Sequence, residues 1–91
     1  MVVFVMENVP EKLRGEITRW MLEAKAGVFV GNMSATVRSS LWKKISEGAG
    51  EGSALLIHSS DSEQGFNIEM IGLPKRGVVY LEGLSLIATR D

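Results

Sequence analysis

The stretch at residues 2–6, Val2-Val3-Phe4-Val5-Met6, is an uninterrupted run of apolar residues, most of them β-branched. A run of this kind is typical of a strand that is buried on both faces and is therefore central in a sheet. A second continuous apolar run, ALLI, occupies residues 54–57. The sequence therefore predicts two central strands, one at the start of the chain and one beyond its middle.

Two helices are predicted between these strands. Pro10 suits the first turn of a helix, and the apolar residues after it recur at helical spacing, so the first helix is predicted over residues 11–24. Its apolar stripe comprises Leu13, Ile17, Trp20, Met21 and Ala24. Ser34 is a favourable N-cap for a second helix over residues 35–48.

Short strands are predicted in the remaining segments. They lie at residues 28–30, 66–72, 78–81 and 84–88. The resulting order is β-α-β-α-β-β, followed by β-β. This order predicts an α+β fold of the ferredoxin-like sandwich type, with two helices on one face of a mostly antiparallel sheet and a C-terminal strand extension. One further short strand within residues 31–33 would complete the βαββαβ repeat of that fold.

The size of the chain favours association. Its 91 residues suffice for a single domain, residues 1–91, in which about residues 78–91 form the C-terminal strands. A domain of this size buries only roughly 60–65% of the surface that its unfolded chain exposes. Two helices on one face of a sheet leave the other face bare. We therefore expect that face, or a strand edge, to pair with a second copy of the chain as a homodimer.

The composition limits the choice of partners. The formal net charge is −1, so no global basic field attracts nucleic acid, although a local basic stripe on a symmetric dimer still supplies a positive surface. The sequence has no cysteine, which removes disulfides and thiolate metal sites and agrees with a cytoplasmic location. The first apolar run is too short for a signal peptide, and no segment reaches the ~20 apolar residues of a membrane span, so no membrane partner is expected.

Few residues suit catalysis. The single histidine, His58, follows an apolar strand, where a histidine is usually structural. Glu7 lies at the end of the first central strand, a place where ligands and metals are often bound. In a symmetric dimer, two copies of Glu7 would be able to share one divalent cation. The alternative is a solvated or helix-capping carboxylate, which the bare sequence favours.

Several basic residues occupy positions that suit phosphate binding. They are Lys12, Arg14, Arg38, Lys75 and Arg76. Each alone is typical of a solvated surface. Together they include the first turns of both helices and a glycine-containing loop, where phosphate oxygens are often bound. No aromatic residues alternate with them as in a single-strand stacking platform, so the pattern indicates contacts with the backbone of a duplex, without base readout.

Two stretches carry a resemblance to a known family. They are residues 7–15, ENVPEKLRG, and residues 20–35, WMLEAKAGVFVGNMSA. Both resemble CRISPR-associated Cas-two proteins of subtype I-E, and so do Trp42, residues 65–66 and residues 72–84. The resemblance covers nearly the whole chain.

The resemblance implies a ferredoxin-like homodimer that lies between two dimers of the Cas-one integrase during CRISPR spacer acquisition. In that role the protein is a non-catalytic scaffold that holds duplex protospacer DNA by its phosphates and requires no cofactor. The phosphate contacts of the family correspond to Lys12, Arg14, Arg38, Lys75 and Arg76, whereas Glu16 stands where a relative carries a basic residue. The segment that docks the integrase contains Val78, Val79, Tyr80, Leu84 and Leu86.

Two other functions stay open. Many members of the family are described as metal-dependent endonucleases that use an aspartate at the end of the first strand. Here that region carries Glu7 and Asn8, so an RNase or DNase would depend on Glu7 at the dimer interface and on a cation such as Mg²⁺. A ferredoxin-like regulatory domain that binds a small ligand would explain the fold but not the motifs.

Overall fold

A computed structural model describes residues 1–72 and the backbone of residues 76–81 and 84–89. Its helices and strands are β1 (Val2–Glu7), α1 (Glu11–Ile17), β2 (Leu22–Lys25), β3 (Val28–Gly31), α2 (Ala35–Gly48), β4 (Ser53–Ser59), β5 (Phe66–Ile71), β6 (Arg76–Leu81) and β7 (Leu84–Thr89). Strands β1 to β5 form an antiparallel sheet in the order β2-β3-β1-β4-β5, and β6 pairs with β7 in a two-stranded sheet. The first six elements make a βαββαβ unit, and β5 lies beside β4. The predicted α+β ferredoxin-like architecture is confirmed.

Strand β1 is the centre of the larger sheet. It pairs with β3 on one side and with β4 on the other, so that Phe4 lies opposite both Phe29 and Leu56. The two continuous apolar runs of the sequence are therefore neighbouring inner strands. The prediction of two inner strands was right. An inner strand has neighbours on both edges and packs side chains on both faces, so it needs apolar residues at every position.

The first helix is shorter than predicted, because α1 ends at Ile17. A hydrogen-bonded turn follows, in which the backbone N–H groups of Trp20 and Met21 both donate to the carbonyl of Ile17, at 3.0 and 3.1 Å. The next four residues form β2, which pairs with β3. The prediction was wrong because Ile17 and Met21 are buried in the observed conformation as they would be in a longer helix. The helical spacing of these residues therefore did not distinguish a longer helix from the observed turn and strand.

Strand β2 is the strand that the predicted order lacked. It was expected within residues 31–33, but it lies before Gly27, and residues 22–31 form a hairpin. Trp20, assigned to the apolar stripe of the helix, is 57% exposed, and Ala24 is exposed as well. Pairing decides this conformation, since β2 satisfies backbone groups of β3 that a longer helix would leave without partners.

The hydrophobic core lies between the two helices and one face of the sheet. The large side chains with the least exposure are Phe4, Ile17, Phe29, Ile45 and Leu56. Phe4 also stacks on Trp42 of α2, with the ring centroids 6.0 Å apart. Each large apolar side chain contributes about 1.5–3 kcal/mol when it is fully removed from water, and together these residues hold α1 and α2 on this face.

The opposite face of the sheet, which we call the outer sheet face, is apolar too. The strand register places ten apolar residues on it, namely Val3, Val5, Leu22, Val28, Val30, Leu55, Ile57, Phe66, Ile68 and Met70. Leu22 is 71% exposed, Ile68 is buried, and the others are half-buried. The two helices pack on the other side, so the second sheet face expected from the sequence is present and involves all five strands.

Gly27 makes the turn between β2 and β3 possible. Its φ is +79°, and a Cβ at this position would overlap the carbonyl oxygen of Met6. The close approach of the two backbones is maintained by a hydrogen bond from the Met6 N–H to the Gly27 carbonyl, at 2.8 Å. Glycine is the residue that meets both requirements, because it lacks a Cβ and tolerates positive φ.

Gly27→Ala is expected to lower the free energy of unfolding by about 1–3 kcal/mol from the backbone conformation alone, and by more because the turn must move away from Met6. Urea unfolding at a fixed protein concentration measures this change. Gly15→Ala is the matched control, since Gly15 lies in α1 and nothing is within 4 Å of the added Cβ; it should raise stability by up to about 1 kcal/mol. Equal stability of Gly27→Ala and the wild type would contradict this account of the turn.

Candidate functional site

Lys12 and Arg14 lie on different sides of α1. Residues two positions apart on a helix do not share a face. Lys12 is exposed and lines a groove between α1 and α2, whereas Arg14 is half-buried and contacts the β2–β3 hairpin. The structure therefore does not gather these two predicted phosphate ligands into one cluster.

Arg14 is held by Glu23 of β2. Its Nη2 donates to Glu23 Oε2 at 2.6 Å, and the backbone N–H of Gly27 donates to the same oxygen at 3.0 Å. The Nε of Arg14 is buried and has no hydrogen-bond partner among the described residues. One carboxylate oxygen thus ties α1 to the hairpin and to its turn, so Arg14 has a structural contact in addition to its predicted contact with DNA.

This arrangement shifts the pKa of both side chains. The pKa of Glu23 lies below its ordinary value of 4.5, chiefly because Gly27 donates a hydrogen bond to the carboxylate and next because Arg14 does. The pKa of the Arg14 guanidinium is raised, chiefly by its hydrogen bond to Glu23. Both shifts favour the charged forms, so the ion pair is intact at neutral pH.

The groove between the helices is positively charged. We define the α1–α2 groove by the residues that line its volume of about 510 Å³, which are Lys12, Gly15, Glu16, Arg19, Trp20 and Lys44. Lys44 Nζ lies 3.3 Å from Glu16 Oε2, in an exposed ion pair of the kind that adds little to stability. Three cations and one carboxylate give the groove a local charge of +2.

Arg38 is positioned by the cap of α2. The Oγ of Ser34 accepts a hydrogen bond from the Val37 N–H at 3.2 Å, and the Ser34 carbonyl accepts one from the Arg38 N–H at 3.0 Å. The predicted N-cap is confirmed. Because the cap determines where α2 starts, it also places Arg38 at the end of the first turn, where its side chain is half-buried.

The C-terminal candidates are described only in part. Lys75 lies outside the described residues, and Arg76 is the first residue of β6, opposite Thr89 of β7. The residues predicted to bind a partner lie on these two strands, with Val78, Val79 and Tyr80 on β6 and Leu84 and Leu86 on β7. The predicted C-terminal strands are present, and the binding roles of these residues stay predictions.

Glu7, the candidate catalytic and metal-binding residue, is the last residue of β1. It is exposed and lies opposite Ser53 of β4. The described part of the chain has no group of three or more His, Cys, Asp or Glu side chains able to hold a metal ion. Mg²⁺ usually keeps several waters and is bound by only one or two carboxylates, so a cation shared by Glu7 of two copies stays a prediction.

His58 makes a local contact rather than a catalytic one. Its side chain is buried on the inner face of β4, and Nδ1 lies 3.0 Å from the carbonyl oxygen of Ser59. A buried ring nitrogen at this distance donates its proton to the carbonyl. The contact agrees with the structural role expected from the sequence.

Arg19, Trp20 and Lys44 were not predicted as a group from the sequence. The predicted helix placed Trp20 in its buried stripe, where no ligand would reach it. The available signal was the alternation of apolar and polar residues at 22–25, followed by Ala26 and Gly27, which is typical of a strand that enters a hairpin. That signal would have ended α1 early and left Trp20 on the surface.

Comparison with known protein families supplies an independent finding. The family model described as CRISPR-associated protein (Cas_Cas2CT1978) matches residues 1–86. The matched region extends from β1 into β7 and includes all the candidate site residues. Among the described residues, no helix is both long enough and apolar enough to cross a membrane.

Glu23→Gln is expected to be less stable than the wild type near neutral pH, and the deficit is expected to shrink in acid. A carboxylate whose pKa is lowered by folding contributes stability above its unfolded-state pKa and loses it as the pH falls through the folded-state value. The deficit should therefore shrink below pH 4.5. Urea unfolding at about pH 7 and about pH 3 measures it.

Glu47→Gln is the control for the loss of one carboxylate, since Glu47 is an exposed residue of α2. Its stability should stay close to that of the wild type at both pH values. A Glu23→Gln deficit that is the same at both pH values would contradict the stabilising role of the Glu23 charge.

Proposed function

Because the chain belongs to the Cas2-like family of CRISPR-associated proteins described as Cas_Cas2CT1978, we propose that it is the homodimeric scaffold of CRISPR adaptation. In this role the dimer binds duplex protospacer DNA through its phosphates and bridges two dimers of the Cas-one integrase for spacer integration. Family membership supports a CRISPR-related role. The observation that carries the scaffold proposal is the apolar outer sheet face, because a scaffold dimer needs a large surface for pairing.

The outer sheet face suits contact with a second copy of itself. It presents ten apolar side chains, with the exposed Leu22 at one edge. Stacked sheets pack about 10 Å apart, and stable interfaces bury about 1,200–2,000 Å². A two-fold dimer uses the same patch on both chains. Two copies packed sheet against sheet would remove these side chains from water and leave the helices on the outside.

The proposed duplex contacts are Lys12, Arg14, Arg38, Lys75 and Arg76. Among the described residues, Lys12 and Arg38 form no ion pair, so their charges are available to phosphates. Arg14 is already paired with Glu23, so a phosphate would be its second ionic contact. A dimer doubles the number of cations, and contacts with the backbone alone accept DNA of any sequence.

The β6–β7 hairpin suits the docking of the integrase. A two-stranded hairpin is marginally stable by itself in water, and in the described sheets β6 and β7 pair only with each other. Their outer edges carry unpaired backbone groups to which a partner strand can add. We assign the integrase contact to this hairpin and to the residues Val78, Val79, Tyr80, Leu84 and Leu86.

The proposed mechanism is geometric. A two-fold dimer presents one hairpin to each integrase dimer, so the rigid body between the hairpins sets the distance between the two active sites. The duplex lies along the same body and is held by charge. The affinity for DNA should therefore fall steeply with salt, with a slope of log K against log salt of about −0.9 for each neutralised phosphate.

Ile57→Glu is expected to abolish the dimer. Ile57 lies near the centre of the outer sheet face, opposite Val3 and Ile68. A carboxylate buried there without a partner should raise the dissociation constant of the dimer roughly 100-fold or more. Light scattering after size-exclusion chromatography distinguishes the 9.9 kDa chain from a dimer of twice that mass.

Asn67→Glu is the matched control for the dimer test. Asn67 lies in β5 opposite His58, on the other face of the sheet, and is exposed. This variant should remain dimeric. A monomeric wild type, or a dimeric Ile57→Glu, would contradict pairing through the outer sheet face.

Combined replacement of Arg38, Lys75 and Arg76 by Gln is expected to weaken duplex binding and to reduce spacer integration by the integrase. Each lost phosphate contact should flatten the salt slope by about 0.9. Fluorescence anisotropy of a labelled duplex over a salt series measures the first effect, and an integration assay measures the second. Lys25→Gln removes an exposed charge of β2 outside this set and is the control. Normal integration by the triple variant would rule against the scaffold proposal.

A further inference from the structure

We propose that the α1–α2 groove binds an unpaired nucleic-acid strand. Its phosphates would contact Lys12, Arg19 and Lys44, and one base would stack on the indole of Trp20. The proposal goes beyond the scaffold function, because it concerns a different form of nucleic acid. Of the residues proposed for the groove, only Lys12 is also a proposed duplex contact.

The charge of the groove favours a polyanion. The whole chain has a net charge of −1, yet among the described residues that line the groove Glu16 is the only acid, against three cations. Arg19 forms no ion pair among the described residues. The Lys44 and Glu16 side chains are 51% and 35% exposed, so their ion pair is weak and solvent-screened and Lys44 can exchange Glu16 for a phosphate.

The groove adjoins further openings on the same side of the helices. Two further cavities, of about 390 and 290 Å³, each share Lys44 with it. The larger one adds Lys43 and Glu47, whose charges offset each other, and the smaller one adds no further charge. The groove itself, at about 510 Å³, has the size of a ligand pocket. A row of openings joined by shared lysines suits a linear polymer better than a compact small molecule.

Trp20 supplies the aromatic surface that the cations alone would lack. Its side chain is 57% exposed, whereas Trp42 is partly buried and stacks on Phe4. The backbone of Trp20 is held in place, because its N–H donates to the carbonyl of the fully buried Ile17 at 3.0 Å. An exposed indole beside a cationic groove is the combination by which single strands are bound without sequence preference.

The indole distinguishes an unpaired strand from other polyanions. In a duplex the faces of the bases stack on one another, so a duplex can use the cations of the groove but not Trp20. An acidic protein segment would likewise be attracted by charge alone. Stacking on Trp20 is therefore the feature that a test must detect.

Fluorescence of Trp20 detects such stacking directly. The chain has two tryptophans, and Trp42→Phe leaves Trp20 as the only one while it keeps an aromatic ring against Phe4. A single-stranded DNA or RNA oligonucleotide of about 8 nucleotides is expected to quench the emission of Trp20, and a duplex of equal length is expected to quench it less. Quenching by an acidic peptide instead would overturn the proposal in favour of a protein partner, and no quenching would overturn it outright.

Affinity measurements in the wild-type background make the test independent of the Trp42→Phe substitution. Trp20→Leu is expected to weaken the binding of a labelled single strand between about 5-fold and about 150-fold, which is the range for loss of one stacked base. Trp20→Phe should retain part of the affinity. Equal affinities of the wild type and Trp20→Leu would overturn the proposal.

Charge variants test the phosphate contacts. Arg19→Gln is expected to flatten the salt slope for a single strand by about 0.7, and Glu16→Gln is expected to raise the affinity, because it removes the one acid of the groove. Lys25→Gln is again the control for a lost charge elsewhere. These measurements need neither the integrase nor a duplex, so the groove proposal and the scaffold proposal fail separately.

Discussion

The close approach of Gly27 to Met6 is the constraint from which the arrangement of the first half of the chain follows. The Met6 N–H donates to the Gly27 carbonyl at 2.8 Å, and a side chain at position 27 would overlap the Met6 backbone. The turn therefore lies against the central strand, and α1 must end early enough for β2 to pair with β3. Glu23 of that hairpin then accepts hydrogen bonds from Gly27 and Arg14. The helix is thus tied to the sheet on one side, while Lys12 and Arg19 face the groove with α2.

The sheet is apolar on both faces, and the two helices pack on only one of them. The inner face is covered by α1 and α2, which bury Phe4, Phe29 and Leu56. No helix among the described residues covers the outer face, and most of its side chains are half-buried. A domain of this size gains limited stability from one core, so a second packed face would add substantially to it. The proposed dimer would therefore link assembly to stability.

The charged side chains are unevenly distributed over the surface, although the net charge of the chain is only −1. Arg14 is neutralised by Glu23 and supports the fold, whereas the cations between the helices face a single acid. A phosphate backbone responds to local charge within about 10 Å, which is the screening length at moderate salt. A protein with slightly negative overall charge can therefore still present surfaces that attract DNA.

The amino-acid sequence was enough to predict the inner strands, the cap and extent of α2, and a second sheet face that the helices leave bare. Each of these depends on a local pattern, such as a continuous apolar run, helical spacing after Ser34, or alternation along a strand. The motifs also carried the family resemblance, and they pointed to Lys12 and Arg38 as exposed or partly exposed cations. The end of α1, the contacts of Arg14 and the exposure of Trp20 became evident only from the folded chain. The physical reason is that Ile17 and Met21 are buried in either conformation, so pairing of β2 with β3 across space, rather than any local preference, selected the observed one.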